Sequence, residues 1–196
     1  MPEEWRRYFV MDYGLDKLAG YWVALDDGGK AYVYKEVWES DLIISKAAEM
    51  INEYTNESLY ERYAPPDLWN RRQETGKSAF EVFGENGVWL TKTDRVNEHG
   101  CLSFKEWLNP YEDEQGVTTA NVQITSNCVN LIKSIGAIQA DPKRPTLYDK
   151  EPHILTHSVD AMIYFFGGRP APYRPKMKTE GTKLIDAIKP KRKLRM

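Results

Sequence analysis

Arg7 to Tyr13 (Arg-Tyr-Phe-Val-Met-Asp-Tyr), near the amino terminus, would place large apolar side chains on both faces of a pleated strand, with one carboxylate, Asp12, near its end. A strand that is apolar on both faces belongs in the middle of a sheet covered on both sides, since an open face would leave a row of hydrophobes in water. Two more segments rich in aromatic and β-branched residues follow, Leu18 to Leu25 and Ala31 to Trp38, joined by the hairpin signal Asp26-Asp27-Gly28-Gly29. The chain therefore opens with three antiparallel strands.

From Asp41 the apolar period becomes helical through Ile43, Ile44, Ala47, Ile51 and Tyr54, with Ser40 or Asp41 placed to cap the start. Leu59 to Tyr63 reads as a fourth strand, ended by Ala64-Pro65-Pro66. Ser78 and Glu81 form a capping box ahead of a short helix that stops at Asn86-Gly87, and Val88 to Lys92 reads as the fifth strand. Ser103 with Glu106 opens a helix closed by Asn109-Pro110, and Tyr111 to Ala120 reads as a loop or hairpin. Cys128, Leu131, Ile132 and Ile135 stripe another helix, Asp141 to Glu151 is a long loop, and the last helix runs from about His153 to Phe166.

The expected fold is α/β: a mixed five-stranded sheet, three antiparallel strands followed by two parallel ones, flanked by helices. A right-handed crossover through the first helix lays the fourth strand parallel to the first and brings both carboxyl ends to one edge.

With 196 residues and 41 % apolar content the chain suits one domain, expected over residues 1–168. Residues 169–196 hold ten Lys or Arg against two acids, Glu180 and Asp186, whereas the rest holds 17 basic and 27 acidic residues. Such a basic tail on an acidic body reads as a flexible arm for nucleic acid or an acidic partner. No apolar run approaches the roughly 18 residues that a spanning helix needs, and no secretory signal follows Met-Pro-Glu-Glu. Cys101 and Cys128 lie far apart, without a disulfide or zinc pattern.

Three acids fall on three elements that can meet. Asp12 ends a strand apolar on both faces, where an ionised carboxylate is costly unless a cation or several donors face it. Asp67 follows the fourth strand just past the two prolines, at the edge to which Asp12 points. Asp160 lies in the last helix within His-Ser-Val-Asp-Ala-Met-Ile-Tyr-Phe. Carboxylates so gathered suit hard divalent cations, and two such ions roughly 3.5–4 Å apart support phosphodiester hydrolysis. A chain with 29 acids offers many triples, so spacing alone does not single this one out.

Over nearly its whole length the chain resembles the carboxy-terminal nuclease domain of tailed-phage large terminase subunits. The matching pieces are Asp12-Tyr13-Gly14, then Ala64-Pro65-Pro66-Asp67-Leu68-Trp69-Asn70-Arg71-Arg72 with Thr75-Gly76-Lys77-Ser78, then Cys128-Val129-Asn130-Leu131-Ile132, and finally His157-Ser158-Val159-Asp160-Ala161 before Tyr164. The resemblance implies a ribonuclease H-like fold and an endonuclease that cuts double-stranded DNA during genome packaging, using two Mg²⁺ or Mn²⁺ ions. It maps metal ligands and catalytic residues onto Asp12, Asp67, Asp160 and His157, the histidine near the second metal. It also implies an amino-terminal ATPase domain in the full-length protein, a portal and a small terminase subunit as partners, no membrane, and the cytoplasm of an infected bacterium.

His157 sits three residues before Asp160, about 60° away around the helix, so both can face one site. The apolar stripe of Leu155, Val159, Met162, Ile163 and Phe166 lies nearly opposite His157, which makes a solvated histidine the ordinary reading; His153 shares that polar face. Arg71, Arg72 and Lys77 beside Asp67 suit contacts to DNA phosphates, or ordinary surface charge. Gly76-Lys77-Ser78 is no nucleotide-phosphate loop, because Arg71 stands where that motif needs a glycine. Two rival functions remain, a recombinase or resolvase on the same fold and a non-catalytic scaffold that docks DNA.

Overall fold

β1 (Arg6–Tyr13) runs through the middle of a six-stranded sheet, between β2 (Leu18–Leu25) and β4 (Glu61–Ala64). The computed structural model describes residues 1–14 and 16–168; the basic stretch 169–196 lies outside them. The strand order is β5-β4-β1-β2-β3-β8, with β3 at Ala31–Glu39, β5 at Thr91–Lys92 and β8 at Val122–Ile124. β1, β2 and β3 are antiparallel neighbours, and β4 lies parallel to β1, as the crossover rule requires.

Tyr8, Val10, Ala19, Tyr21 and Val23 enter a core beneath α3 (Glu98–Leu108), α4 (Val129–Ala137) and α5 (Thr156–Gly167). Phe9, Met11, Tyr13, Leu18 and Trp22 enter a second core beneath α1 (Ile44–Tyr54) and α2 (Ala79–Glu85). Alternate residues of each strand thus feed opposite layers, which is why β1 needs hydrophobes on both faces.

Several elements depart from the sequence reading. β8 is a sixth strand, parallel to β3; three residues are too short to carry a periodic signal. Only Thr91 and Lys92 of the expected fifth strand pair with β4, and Val88 and Leu90 instead sink into the α1–α2 core. α1 begins at Ile44 without a side-chain cap, so neither Ser40 nor Asp41 serves there. α3 starts earlier than Ser103, where Asn97 Oδ1 accepts from Gly100 N at 2.8 Å. The segment after α3 forms a small hairpin of β6 (Tyr111–Glu112) and β7 (Thr118–Thr119).

Two local devices seat the helices. Ser78 and Glu81 complete the expected capping box at the start of α2. The α4 amino terminus is capped from another element: Glu36 of β3 accepts from Asn130 N, Asn130 Nδ2 and Leu131 N at 3.1, 2.8 and 2.8 Å.

Candidate metal centre

Pleat parity decides where Asp12 points. It falls in register with Tyr8 and Val10, so its carboxylate emerges on the α5 side of the sheet, while Tyr13 turns to Phe83 of α2 on the other side. Parallel pairing of Val10 with Tyr63 brings the ends of β1 and β4 to one edge. Beyond β4, Pro66–Trp69 forms a single 3-10 turn that carries an exposed Asp67.

α5 reaches that edge from above. Its rotation is set by a buried chain of hydroxyls: Tyr21 OH donates to Ser158 Oγ at 2.7 Å, and Ser134 Oγ of α4 stands 3.2 Å from the same oxygen. With Ser158 held, the residues beside it at 157 and 160 face the strand ends. α5 is buried on nearly every side, against the sheet, α3 and α4, so the single apolar stripe seen in the sequence was only one of its buried faces.

His157 is accordingly 4 % exposed rather than solvated. Its Nδ1 lies 2.8 Å from Asp12 Oδ2 and its Nε2 lies 3.2 Å from Asp16 Oδ2. Burial disfavours the charged ring, but the bond and charge of Asp12, joined by Asp16, outweigh it and raise the His157 pKa above the ordinary value. Burial pushes the Asp12 carboxyl above its usual range against the opposing bond and charge of His157, and the charge of Asp67 adds to the rise.

Asp160 is more strongly perturbed. Burial, with the charge of Asp12 second, pushes its pKa up to about 8. Its Oδ1 is buried without a hydrogen-bond partner. Lys150 Nζ stands 3.5 Å from that oxygen but outside hydrogen-bond geometry, and donates instead to Tyr148 OH at 2.7 Å. Tyr164, one helical turn on, has its pKa raised by burial and then by the charges of Asp12, Asp160 and Asp67.

The basic residues sit elsewhere. Arg72 and Lys77 line a cleft of about 370 Å³ with Tyr13 and Ile43, on the α1–α2 side and across the sheet from α5. Arg71 Nη2 lies 3.8 Å from Glu81 Oε1 and Lys77 Nζ 2.5 Å from Glu85 Oε1, so both charges are partly met by α2. A second cleft of about 310 Å³, lined by Lys92, Arg95, His99 and Tyr164 among others, opens on the α5 side.

Sequence reasoning passed over Asp16 and Lys150 and left His153 as a spare. Asp16 had a legible signal: Tyr13 pairs with Leu18, so the tight turn between β1 and β2 must lie at the edge that Asp12 faces. Lys150 had none, because it arrives on an irregular loop.

Asp12 and Asp160 could offer carboxylate oxygens to a divalent cation, the ligands that Mg²⁺ and Mn²⁺ prefer. The three expected acids do not close to within 4.8 Å of one another; among the described residues the one group of donors that does is Asp16, His153 and His157. The orphaned Oδ1 of Asp160 is the kind of buried acceptor that a cation relieves.

No family model matches the chain, and no curated protein matches it by sequence. Solved structures that match over most of its length include two terminase nuclease domains. The nuclease domain of the P22 large terminase superposes with a TM-score of 0.66 at 14 % identity, covering 88 % of this chain and 86 % of that one. The nuclease domain of the large terminase g2p from bacteriophage SPP1, with bound Mn, superposes with a TM-score of 0.52 at 17 % identity, covering 81 % and 84 %. At these identities the likeness is one of fold: the chain has the ribonuclease H-like fold of the large terminase nuclease domains.

Proposed function

We propose that this chain is a metal-dependent endonuclease domain of a phage large terminase, hydrolysing phosphodiester bonds of double-stranded DNA as the genome is packaged. The observation that carries the reading is the buried carboxylate of Asp160 on α5, whose Oδ1 has no hydrogen-bond partner, beside Asp12 at the end of β1; Asp67, on the turn after the parallel strand β4, is exposed near the same edge. The fold shared with terminase nuclease domains supports it.

Asp12, Asp67 and Asp160 would hold two Mg²⁺ or Mn²⁺ ions, with His157 at their margin. Such ions, when bound, lower the pKa of a coordinated water and steady the oxygens of the displacement. The rest falls to the protein. His157 holds Asp12 Oδ2 through Nδ1, which sets the orientation of the central carboxylate. Asp160 keeps its ligand oxygen free of other bonds and pays a burial cost that a cation offsets. Lys150 stands beside Asp160 as the nearest fixed positive charge.

Lys92 and Arg95, which line the cleft with Tyr164, would meet DNA phosphates. Arg71, Arg72 and Lys77 would guide the duplex from the other side of the same edge, and residues 169–196 would add sequence-independent phosphate contacts. An ATPase domain, a portal and a small terminase subunit complete this reading, which sets the chain in the cytoplasm of an infected bacterium. Incubation of supercoiled plasmid with the protein tests it: nicking and linearisation with Mn²⁺, abolished by EDTA, are expected. Intact plasmid under both conditions would leave a DNA-docking scaffold, and strand transfer or junction resolution without duplex cleavage would mark a recombinase.

A further inference from the structure

Beside the acid cluster lies a different set of donors. Asp16, His153 and His157 each offer one ligand atom, and these atoms lie within 4.8 Å of one another. Asp16 Oδ2 is 3.2 Å from His157 Nε2 and 3.6 Å from His153 Nδ1. Three ligands around an ion at about 2.0–2.2 Å stand about 3.0–3.5 Å apart at right-angle or tetrahedral geometry, so the two contacts of Asp16 are already near that spacing and the two imidazole nitrogens, within 4.8 Å, must close by at most about 1–2 Å. The two imidazole centroids are 4.6 Å apart and nearly perpendicular at 77°, which lets both rings turn a nitrogen toward one point.

The chain contains three histidines, and two of them meet here. The buried one is already oriented: its Nδ1 is held by Asp12 Oδ2 at 2.8 Å, leaving Nε2 aimed outward at Asp16. A carboxylate on one ring nitrogen with a metal on the other is the usual arrangement of a metal-binding histidine, since the outer carboxylate fixes the tautomer and makes the ligating nitrogen more basic. Asp16 and His153 complete the set from the solvent side, with side chains 58 % and 62 % exposed, so an ion has an open path in.

We propose that Asp16, His153 and His157 form a transition-metal site, of the two-histidine, one-carboxylate kind, that takes Zn²⁺, Co²⁺ or Mn²⁺ in preference to Mg²⁺. Imidazole nitrogen favours these borderline ions, whereas Mg²⁺ favours oxygen and gives up its water reluctantly. The site is separate from the Asp67–Asp160 set but joined to it through the bond from His157 to Asp12. An ion on Nε2 therefore stands one side chain away from the central carboxylate of the proposed nuclease.

The test is isothermal titration of Zn²⁺ into EDTA-stripped, desalted protein in buffer containing millimolar Mg²⁺. Zn²⁺ binds the wild-type chain despite the Mg²⁺, and His153→Ala and Asp16→Asn each weaken it by at least about tenfold. Both positions are exposed, so these variants keep the fold. Asp67→Asn and His99→Ala leave Zn²⁺ affinity within about twofold. Cys101 and Cys128 are buried and do not compete. Nuclear magnetic resonance of the imidazoles gives a second readout, in which Zn²⁺ moves the signals of two histidines and leaves that of His99 in place. Absence of Zn²⁺ binding under Mg²⁺, wild-type affinity in His153→Ala, or a loss in Asp67→Asn as large as in His153→Ala would each overturn the site. No cleavage is measured, so failure here leaves the nuclease reading standing, and an inactive nuclease leaves this site standing.

Discussion

His157 Nδ1 stands 2.8 Å from Asp12 Oδ2, so residues 145 positions apart in sequence meet where the first strand ends and the last helix begins. The contact ties the rotation of α5 to the orientation of the carboxylate at the end of β1. It is also where the two proposed sets of metal donors join.

Asp12→Asn keeps the shape of the side chain and deletes its charge. Nearly all plasmid cleavage with Mn²⁺ should be lost while far-UV circular dichroism stays unchanged. The same substitution removes the main partner that raises the His157 pKa, so the imidazole titration followed by magnetic resonance should move down in pH. Undiminished cutting would take Asp12 out of the proposed centre.

Asp160 links the site to stability in metal-free solution. Its folded pKa of about 8 lies above the ordinary value of 3.8, so between these values the folded chain holds a proton that the unfolded chain has released. Its contribution to stability is therefore fully present below about pH 4 and is lost as pH rises through about 8. In EDTA, Asp160→Asn should flatten the fall in melting midpoint between pH 5 and pH 8.5 and melt above the wild type at the upper end. Parallel pH profiles for the two proteins would contradict the burial argument. Asp67→Asn should change the EDTA melt much less, since Asp67 is exposed.

Bound ions should offset that cost. Free Mn²⁺ about a hundredfold above its dissociation constant favours the folded state by about 2.7 kcal/mol. For a chain of this size each kcal/mol moves the midpoint by about 2–4 °C. Wild-type melts at pH 8 with and without Mn²⁺ measure the shift, which should shrink in both Asp160→Asn and Asp67→Asn. A full shift in either variant would remove that residue from the ligand set.

Ser78→Ala should destabilise the domain by about 1 kcal/mol, because the capping box at the start of α2 loses both its hydroxyl bonds. The midpoint should fall by about 2–4 °C. A shift under half a degree would mean that the loop carrying Arg72 and Lys77 holds α2 without the cap.

Truncation after Gly168 removes ten Lys or Arg and two acids. Duplex binding should weaken and the slope of log affinity against log salt should flatten. Equal slopes for the two chains would assign no phosphate contacts to the tail.

The sequence by itself determined the central strand, its antiparallel neighbours and the parallel return of the fourth strand. Hydrophobic patterning, a Gly-rich hairpin turn and the handedness of crossovers are local or topological rules that need no partner. From these it also followed that Asp12 and Asp67 share an edge. Only the tertiary structure decided that His157 is buried, because a helix enclosed by a sheet and two other helices has several inward faces, and its own period marks only one. It alone brought Lys150 to Asp160 from an irregular loop, and it set Arg72 and Lys77 across the sheet from α5. The Asp16, His153 and His157 trio depended on the β1–β2 connection and the entry to α5 coming close together. Such distances are set by packing between layers, which residue spacing along a chain does not encode.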